Sequence, residues 1–127
     1  MYEHRFRVAA DDIDELQHVN NVVYLRYIQD VAVAHWRAAA TEELSRAIVW
    51  VVRRHEIDYL RPARAGEELT ARTWVGEPNG AAWDRFTEIT RVSDQEILVR
   101  ARSVWVALEA GTLRPRRVSE EIQRIFR

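Results

Sequence analysis

The chain has 127 residues and a mass of 14.9 kDa, one domain's worth of sequence and long enough to bury its own core. Apolar residues at 47%, charged residues at 31% and a net charge of -1 exclude a disordered chain and a general nucleic-acid binder. The absence of cysteine excludes a disulfide framework, a thiolate metal site and a cysteine nucleophile, and no run of about 18 apolar residues is present to span a membrane.

Tyr2 to Ala10 mixes aromatic, β-branched and charged residues and is expected to form a strand. Asp11 to Asn21 is polar and aperiodic, so a loop is expected there. Asn20 or Asn21 can cap a helix, because the amide oxygen accepts from the free N–H groups of a first turn. Leu25, Ile28, Ala32, Trp36 and Ala39 then recur at helical spacing, and Tyr24, Tyr27, Val31 and Ala34 widen that stripe. A helix so broadly apolar must be wrapped by something else. Its end is expected between Ala40 and Ser45.

Ile48 to Leu60 is rich in β-branched residues, with Val49, Val51, His55, Ile57 and Tyr59 expected on one face. Arg61 to Gly66 is a turn. Leu69, Ala71, Thr73 and Val75 alternate along the next strand. Glu77-Pro78-Asn79-Gly80 is a hairpin signal, since Asn-Gly tolerates positive φ. Trp83 to Val92 forms another strand, turning at Ser93-Asp94-Gln95. Ile97, Val99, Ala101, Ser103, Trp105 and Ala107 alternate along the last one. A turn at Ala110-Gly111-Thr112 leads to a short helix over Val118 to Phe126, capped by Ser119. The order predicts an α+β fold of one sheet and one long helix, whose open sheet edges call for dimerisation.

Chemistry concentrates in Asp12-Ile13-Asp14-Glu15-Leu16-Gln17-His18-Val19-Asn20-Asn21, which feeds the long helix. A helix N-terminus offers unpaired N–H groups and a positive partial charge that can hold an oxyanion. A carboxylate beside it can attack or activate water. An aspartate in such a place is more often a loop solubiliser or a partner of the helix dipole. The spacing Asp12-x-Asp14 does not make a calcium loop, because Gln17 and Val23 replace the required Gly and Glu. His4, His35 and His55 lack partners at metal-ligand spacing and are read as packed or surface residues. The serines lack a nucleophile elbow, and no phosphate-binding glycine loop is present.

The run Asp12-x-Asp14-x-x-x-His18-Val19-Asn20-Asn21-Val22-Val23-Tyr24-Leu25-Arg26-Tyr27 resembles the signature of the hot-dog thioesterases, most nearly the 4-hydroxybenzoyl-CoA thioesterase-like group. The likeness continues through Arg54 to Ala63, Gly66-Glu67-Glu68-Leu69, Arg100 to Val106 and Arg116-Arg117-Val118. The resemblance implies a long helix wrapped by a five-stranded antiparallel sheet, and a single domain over residues 1–127. It implies an acyl-CoA thioesterase that releases CoA and a carboxylic acid. Asp14 is then the carboxylate, as nucleophile or general base. The backbone N–H groups of Asn21 and Val22 polarise the carbonyl. No metal or redox cofactor is called for.

Gln17 stands where many relatives have Gly before the His. The run Leu16 to Asn21 is similar to a segment of plant acyl-carrier-protein thioesterases, in which an Asn, the His and a downstream Glu take part. Leu16 and Pro62 replace that Asn and that Glu here, so the resemblance favours an aspartate-only mechanism. His18 is left either a catalytic role or a supporting one. A CoA substrate would bring phosphates, for which Arg61 and Arg64 are candidate partners; solvated surface arginine is the plainer reading. All 19 basic residues are Arg, so any such contact uses a guanidinium fork. Codon bias is the preferred explanation for that composition. Five Trp imply a large aromatic share of the core or of an interface.

The expected assembly is a homodimer or homotetramer, with no nucleic-acid or membrane partner. The charged segment Met1 to Arg7 has no signal-peptide core, which makes the cytoplasm the expected location. A dehydratase of the same fold fits less well, because its Gly/Pro-rich motif around the histidine is missing. A non-catalytic acyl-thioester-binding or assembly module is the alternative from another class, since fold alone does not prove function.

Overall fold

The computed structural model describes all 127 residues. Strand β1 covers Tyr2–Arg7, and a 3-10 turn at Ala10–Asp12 starts the loop. Helix α1 spans Asn21–Ala39 and a short helix α2 spans Glu42–Ala47. Strands β2 (Ile48–Tyr59), β3 (Glu68–Asn79), β4 (Ala82–Arg91) and β5 (Ile97–Glu109) follow, and helix α3 (Glu120–Phe126) closes the chain. The five strands form one antiparallel sheet in the order β1-β3-β4-β5-β2, leaving β1 and β2 as its edges. No helix is long and apolar enough to cross a membrane.

Asn20 rather than Asn21 caps α1: its side chain accepts from the Val22 N–H at 2.9 Å. The helix stops at Ala39, because Ala40 turns extended and Thr41 then caps α2 by accepting from the Leu44 N–H. The separate helix α2 was not expected from the sequence. Its threonine cap, with Glu42 and Glu43 in the first turn, is the local chemistry that favours it. Gly80 takes φ +65°, as the Asn79-Gly80 turn requires. Ser119 caps α3 as expected.

Strand β2 departs from the expected facing. Val49 and Val51 are 38% and 40% exposed, while Ile48 is buried and Trp50 and Val52 are half-buried. The cause is a β-bulge. Val52 pairs with Trp105 and Arg54 with Val104, so Arg53 has no place in the ladder. One extra residue reverses the side-chain parity, and His55 and Ile57 turn inward beyond it.

The core is divided. Around the first half of α1, Tyr24, Tyr27, Ile28 and Val31 pack on Leu69, Ile89 and Val99. Around the second half, Trp36 and Ala39 meet Ile48, Trp83, Ala107 and Phe126. Between them a polar seam crosses the sheet. Thr73 is opposite Thr87, Arg85 opposite Ser103, and Ser103 opposite His55. Arg85 Nη1 donates to Thr73 Oγ1 at 3.0 Å, Thr73 Oγ1 donates to the Phe86 carbonyl, and His55 Nδ1 lies 2.7 Å from Ser103 Oγ.

Candidate active site

The loop before α1 is a small closed structure. Ile13 and Val19 form an isolated antiparallel bridge. The Asp14 N–H donates to the His18 carbonyl at 2.8 Å, and the Gln17 N–H to the Asp14 carbonyl at 3.0 Å. Asp14 Oδ1 accepts the Leu16 N–H at 2.9 Å and the His18 N–H at 3.4 Å. The carboxylate is therefore oriented by its own loop, and Oδ2 has no protein partner. The loop closes only because Gln17 adopts φ +65°. A glycine would take that conformation without steric cost.

Asp12 serves differently. It is buried, and its carboxylate accepts from Arg26 Nη2 at 2.8 Å, from the Tyr27 hydroxyl at 2.7 Å and from the Ala9 N–H at 3.3 Å. Burial alone would raise its pKa, but those hydrogen bonds together hold the carboxyl below the usual range. Burial and the adjoining carboxylate push the Tyr27 phenol well up. Asp12 thus ties the loop to the first turns of α1 and is fully engaged.

At the helix start the two expected N–H groups separate. The Val22 N–H is taken by the Asn20 cap, whereas the Asn21 N–H has no partner. Val22 is therefore a poor oxyanion donor in this arrangement, and Asn21 is the open one. No acidic side chain lies in the first turn of α1 to neutralise its positive end. The His18 ring makes no hydrogen bond; the residue acts on Asp14 through its backbone N–H and carbonyl.

Arg61 and Arg64 are exposed and form no ion pair. Their turn is pinned to the loop, since the Val19 N–H donates to the Ala63 carbonyl at 2.8 Å. The Tyr59 hydroxyl also reaches the Asn21 carbonyl at 3.3 Å. That bond holds the β2–β3 turn, which carries Arg61 and Arg64, beside the loop. No three His, Asp or Glu side chains converge as a metal site would need.

At the other end of α1, Arg85, which the sequence reading did not single out, is buried beside His35, one of the histidines read as packed or surface. Arg85 is 6% exposed and donates from Nη1 to His35 Nδ1 at 3.0 Å. His35 is buried and stacks on Tyr2 at 5.1 Å. Burial, helped by the charge on Arg85, drives the His35 pKa down to about 4, and burial lowers Arg85 to about 10. The available signal was parity: Trp83, Arg85, Thr87 and Ile89 alternate on the buried face of β4, so a charged residue stands in an apolar row.

Residues 8–126 match the thioesterase-like superfamily. The chain belongs to the thioesterase-like superfamily. Its fold is the hot-dog fold of these enzymes, as the resemblance implied. A thioesterase from Thermus thermophilus, crystallised with coenzyme A and Zn, superposes with a TM-score of 0.85 at 28% identity, over 98% of this chain and 90% of that one. A 1,4-dihydroxy-2-naphthoyl-CoA thioesterase from Synechocystis gives a TM-score of 0.84 over 98% and 94% of the two chains; at 14% identity it speaks for the fold alone. The chloroplastic palmitoyl-acyl carrier protein thioesterase of Gossypium hirsutum is 26% identical across 97% of this chain. This chain spans about a third of that relative's length, the matched share being 32%.

Proposed function

We propose that the chain hydrolyses acyl-CoA thioesters through Asp14. The observation that carries this reading is a half-free carboxylate in the loop that leads into a half-free helix start. Asp14 Oδ1 is anchored by loop N–H groups while Oδ2 is open, and the helix that follows begins with the unpaired Asn21 N–H. That N–H would donate to the thioester oxygen as negative charge develops on it. Asp14 would attack the carbonyl carbon to give a mixed anhydride, or take a proton from the attacking water. In either case the C–S bond breaks, water supplies the hydroxyl of the acid, and CoA leaves as the thiol. Arg61 and Arg64 suit the CoA phosphates, for which a guanidinium fork is the matching partner. The superfamily match and the CoA-bound Thermus structure support the substrate class.

Thiol release over a panel of acyl-CoAs, with acyl-carrier-protein thioesters alongside, tests the reading. Asp14→Asn keeps the loop acceptor and removes the charge, so turnover falls at least about a hundredfold while acyl-CoA still binds. Binding without turnover in the unaltered protein would instead identify an acyl-thioester-binding module. Turnover that survives Asp14→Asn would reject the carboxylate mechanism.

The functional particle in this proposal is a homodimer or homotetramer. β2 is a twelve-residue edge strand with Val49 and Val51 exposed, and such an edge is normally covered. Light scattering is expected to give a multiple of 14.9 kDa. A monodisperse monomer with full activity would overturn the assembly.

A further inference from the structure

An apolar cavity lies away from the loop. It has a volume of about 180 Å³, and its walls are Trp36, Trp50, Trp83, Trp105 and Phe126. Trp36 is about 22 Å along α1 from Asn21, at 1.5 Å per residue. Two charged side chains reach this aromatic box. Asp84 is neutralised by a two-pronged contact with Arg102, at 3.1 and 3.2 Å. Arg85 is not neutralised. Its neighbours are the neutral acceptors His35 Nδ1 and Thr73 Oγ1, and the Phe126 ring whose centroid is 5.3 Å from Cζ.

A buried cation without a carboxylate is costly, and proteins pair nearly all of them. Here Nη1 is used by His35 and Thr73, while Nε and Nη2 make no hydrogen bond within the protein. Those two nitrogens form the edge of the guanidinium that matches a carboxylate in two parallel bonds. His35 adds no compensating charge, being neutral at pH 7 with Nδ1 as acceptor. A cavity of about 150 Å³ accommodates benzene, so this one accepts a single ring with a short acidic arm.

We propose that the cavity at the C-terminal end of α1 binds a small apolar monocarboxylate, its ring among the tryptophans and its carboxylate on Arg85. The inference stands on the cavity and does not require thioester hydrolysis at Asp14. Phenylacetate is the probe and phenylacetamide its neutral counterpart of nearly equal shape. Four tryptophans line the cavity, so occupancy is read from tryptophan emission and confirmed by calorimetry.

Phenylacetate is expected to bind at least about tenfold more tightly than phenylacetamide. Arg85→Gln is expected to erase that preference. Equal affinities, no binding of phenylacetate at millimolar concentration, or a preference that survives Arg85→Gln would each overturn the proposal. Should Arg85→Gln fail to fold, Ala32→Met replaces it, filling the cavity wall while keeping Arg85. Phenylacetate binding is lost in that variant if the site is where we place it, and unaltered affinity overturns the assignment. The readout is binding rather than turnover, so its failure is distinct from failure of the Asp14 mechanism.

Discussion

The two ends of α1 each bury a charged side chain, and they treat it in opposite ways. At the N-terminal end Asp12 is surrounded by donors: a guanidinium, a phenol and a backbone N–H. At the C-terminal end Arg85 has only neutral acceptors and an aromatic face. A buried charge whose partners are complete belongs to the scaffold. One whose partners are incomplete leaves room for something the chain does not contain. The same distinction separates the two aspartates of the loop. Asp12 is used up in holding the loop, and Asp14, two residues on, keeps one oxygen open.

Removing Asp12 would break the comparison most severely. Asp12→Ala leaves the Tyr27 hydroxyl and the Ala9 N–H without their acceptor, and we expect a loss of about 3–4 kcal/mol in urea unfolding. Asp14→Ala, which frees mainly surface N–H groups, is expected to cost under about 1 kcal/mol. Equal losses would show that the two carboxylates share one structural role. Asp12→Asn is accordingly no neutral control for Asp14→Asn, since it disturbs a buried network.

Acid separates the two ends. His35 titrates near 6.5 when unfolded and near 4 when folded, because burial and the positive charges of Arg85 and the amino terminus disfavour its protonation. Below pH 6.5 the unfolded chain therefore binds a proton that the folded chain refuses. Stability falls by up to about 3 kcal/mol as pH drops from 6.5 to about 4. The depressed pKa of Asp12 works in a lower window: its stabilisation is complete above 3.8 and is lost as pH falls through the folded value. Thermal melts of His35→Gln should lose the upper slope and keep the lower one. A slope unchanged by that substitution would refute the assignment.

His18→Ala should slow turnover less than about tenfold, well short of Asp14→Asn, because the ring bonds to nothing while the backbone contacts survive. Parallel kinetics on the two variants decide it, and equal losses would make the imidazole indispensable. The smallest effect concerns Gln17. Replacing it with Gly relieves a positive φ but adds freedom to the unfolded chain, so we expect a gain of no more than about 1 kcal/mol. A loss in chemical unfolding would mean that the Gln17 side chain stabilises the loop.

The fold was legible because its signals are periodic. The stripe of α1, the alternation of β3 and β5, the Asn79-Gly80 turn and the Ser119 cap all express local geometry. What was not legible breaks a period. Arg53 adds one residue to β2 and reverses the facing of Val49 and Val51, and Thr41 divides one expected helical stretch into two helices. In the loop, residue types leave Asp12 and Asp14 alike and the resemblance alone singles out Asp14; that Asp12 is the engaged carboxylate is seen only in the hydrogen bonds. The engagement of Val22 by Asn20 is likewise a matter of geometry. Arg85 was within reach, as a charge at an inward position of β4. The cavity beside it depends on five aromatic residues distant in sequence.

The polar seam between the two core clusters has a consequence for how the strands choose their alignment. A strand that slips by two residues keeps every apolar side chain on its proper face, so hydrophobic contact alone discriminates weakly against that error. Slipping β4 by two residues along β3 would carry Arg85 away from the Thr73 hydroxyl and remove Thr87 from its place opposite Thr73. A buried guanidinium would lose one of its two acceptors. Slipping β5 along β2 would likewise separate Ser103 from His55. The seam therefore acts as a vernier across the sheet: it contributes little apolar burial, but only one alignment satisfies its donors and acceptors together.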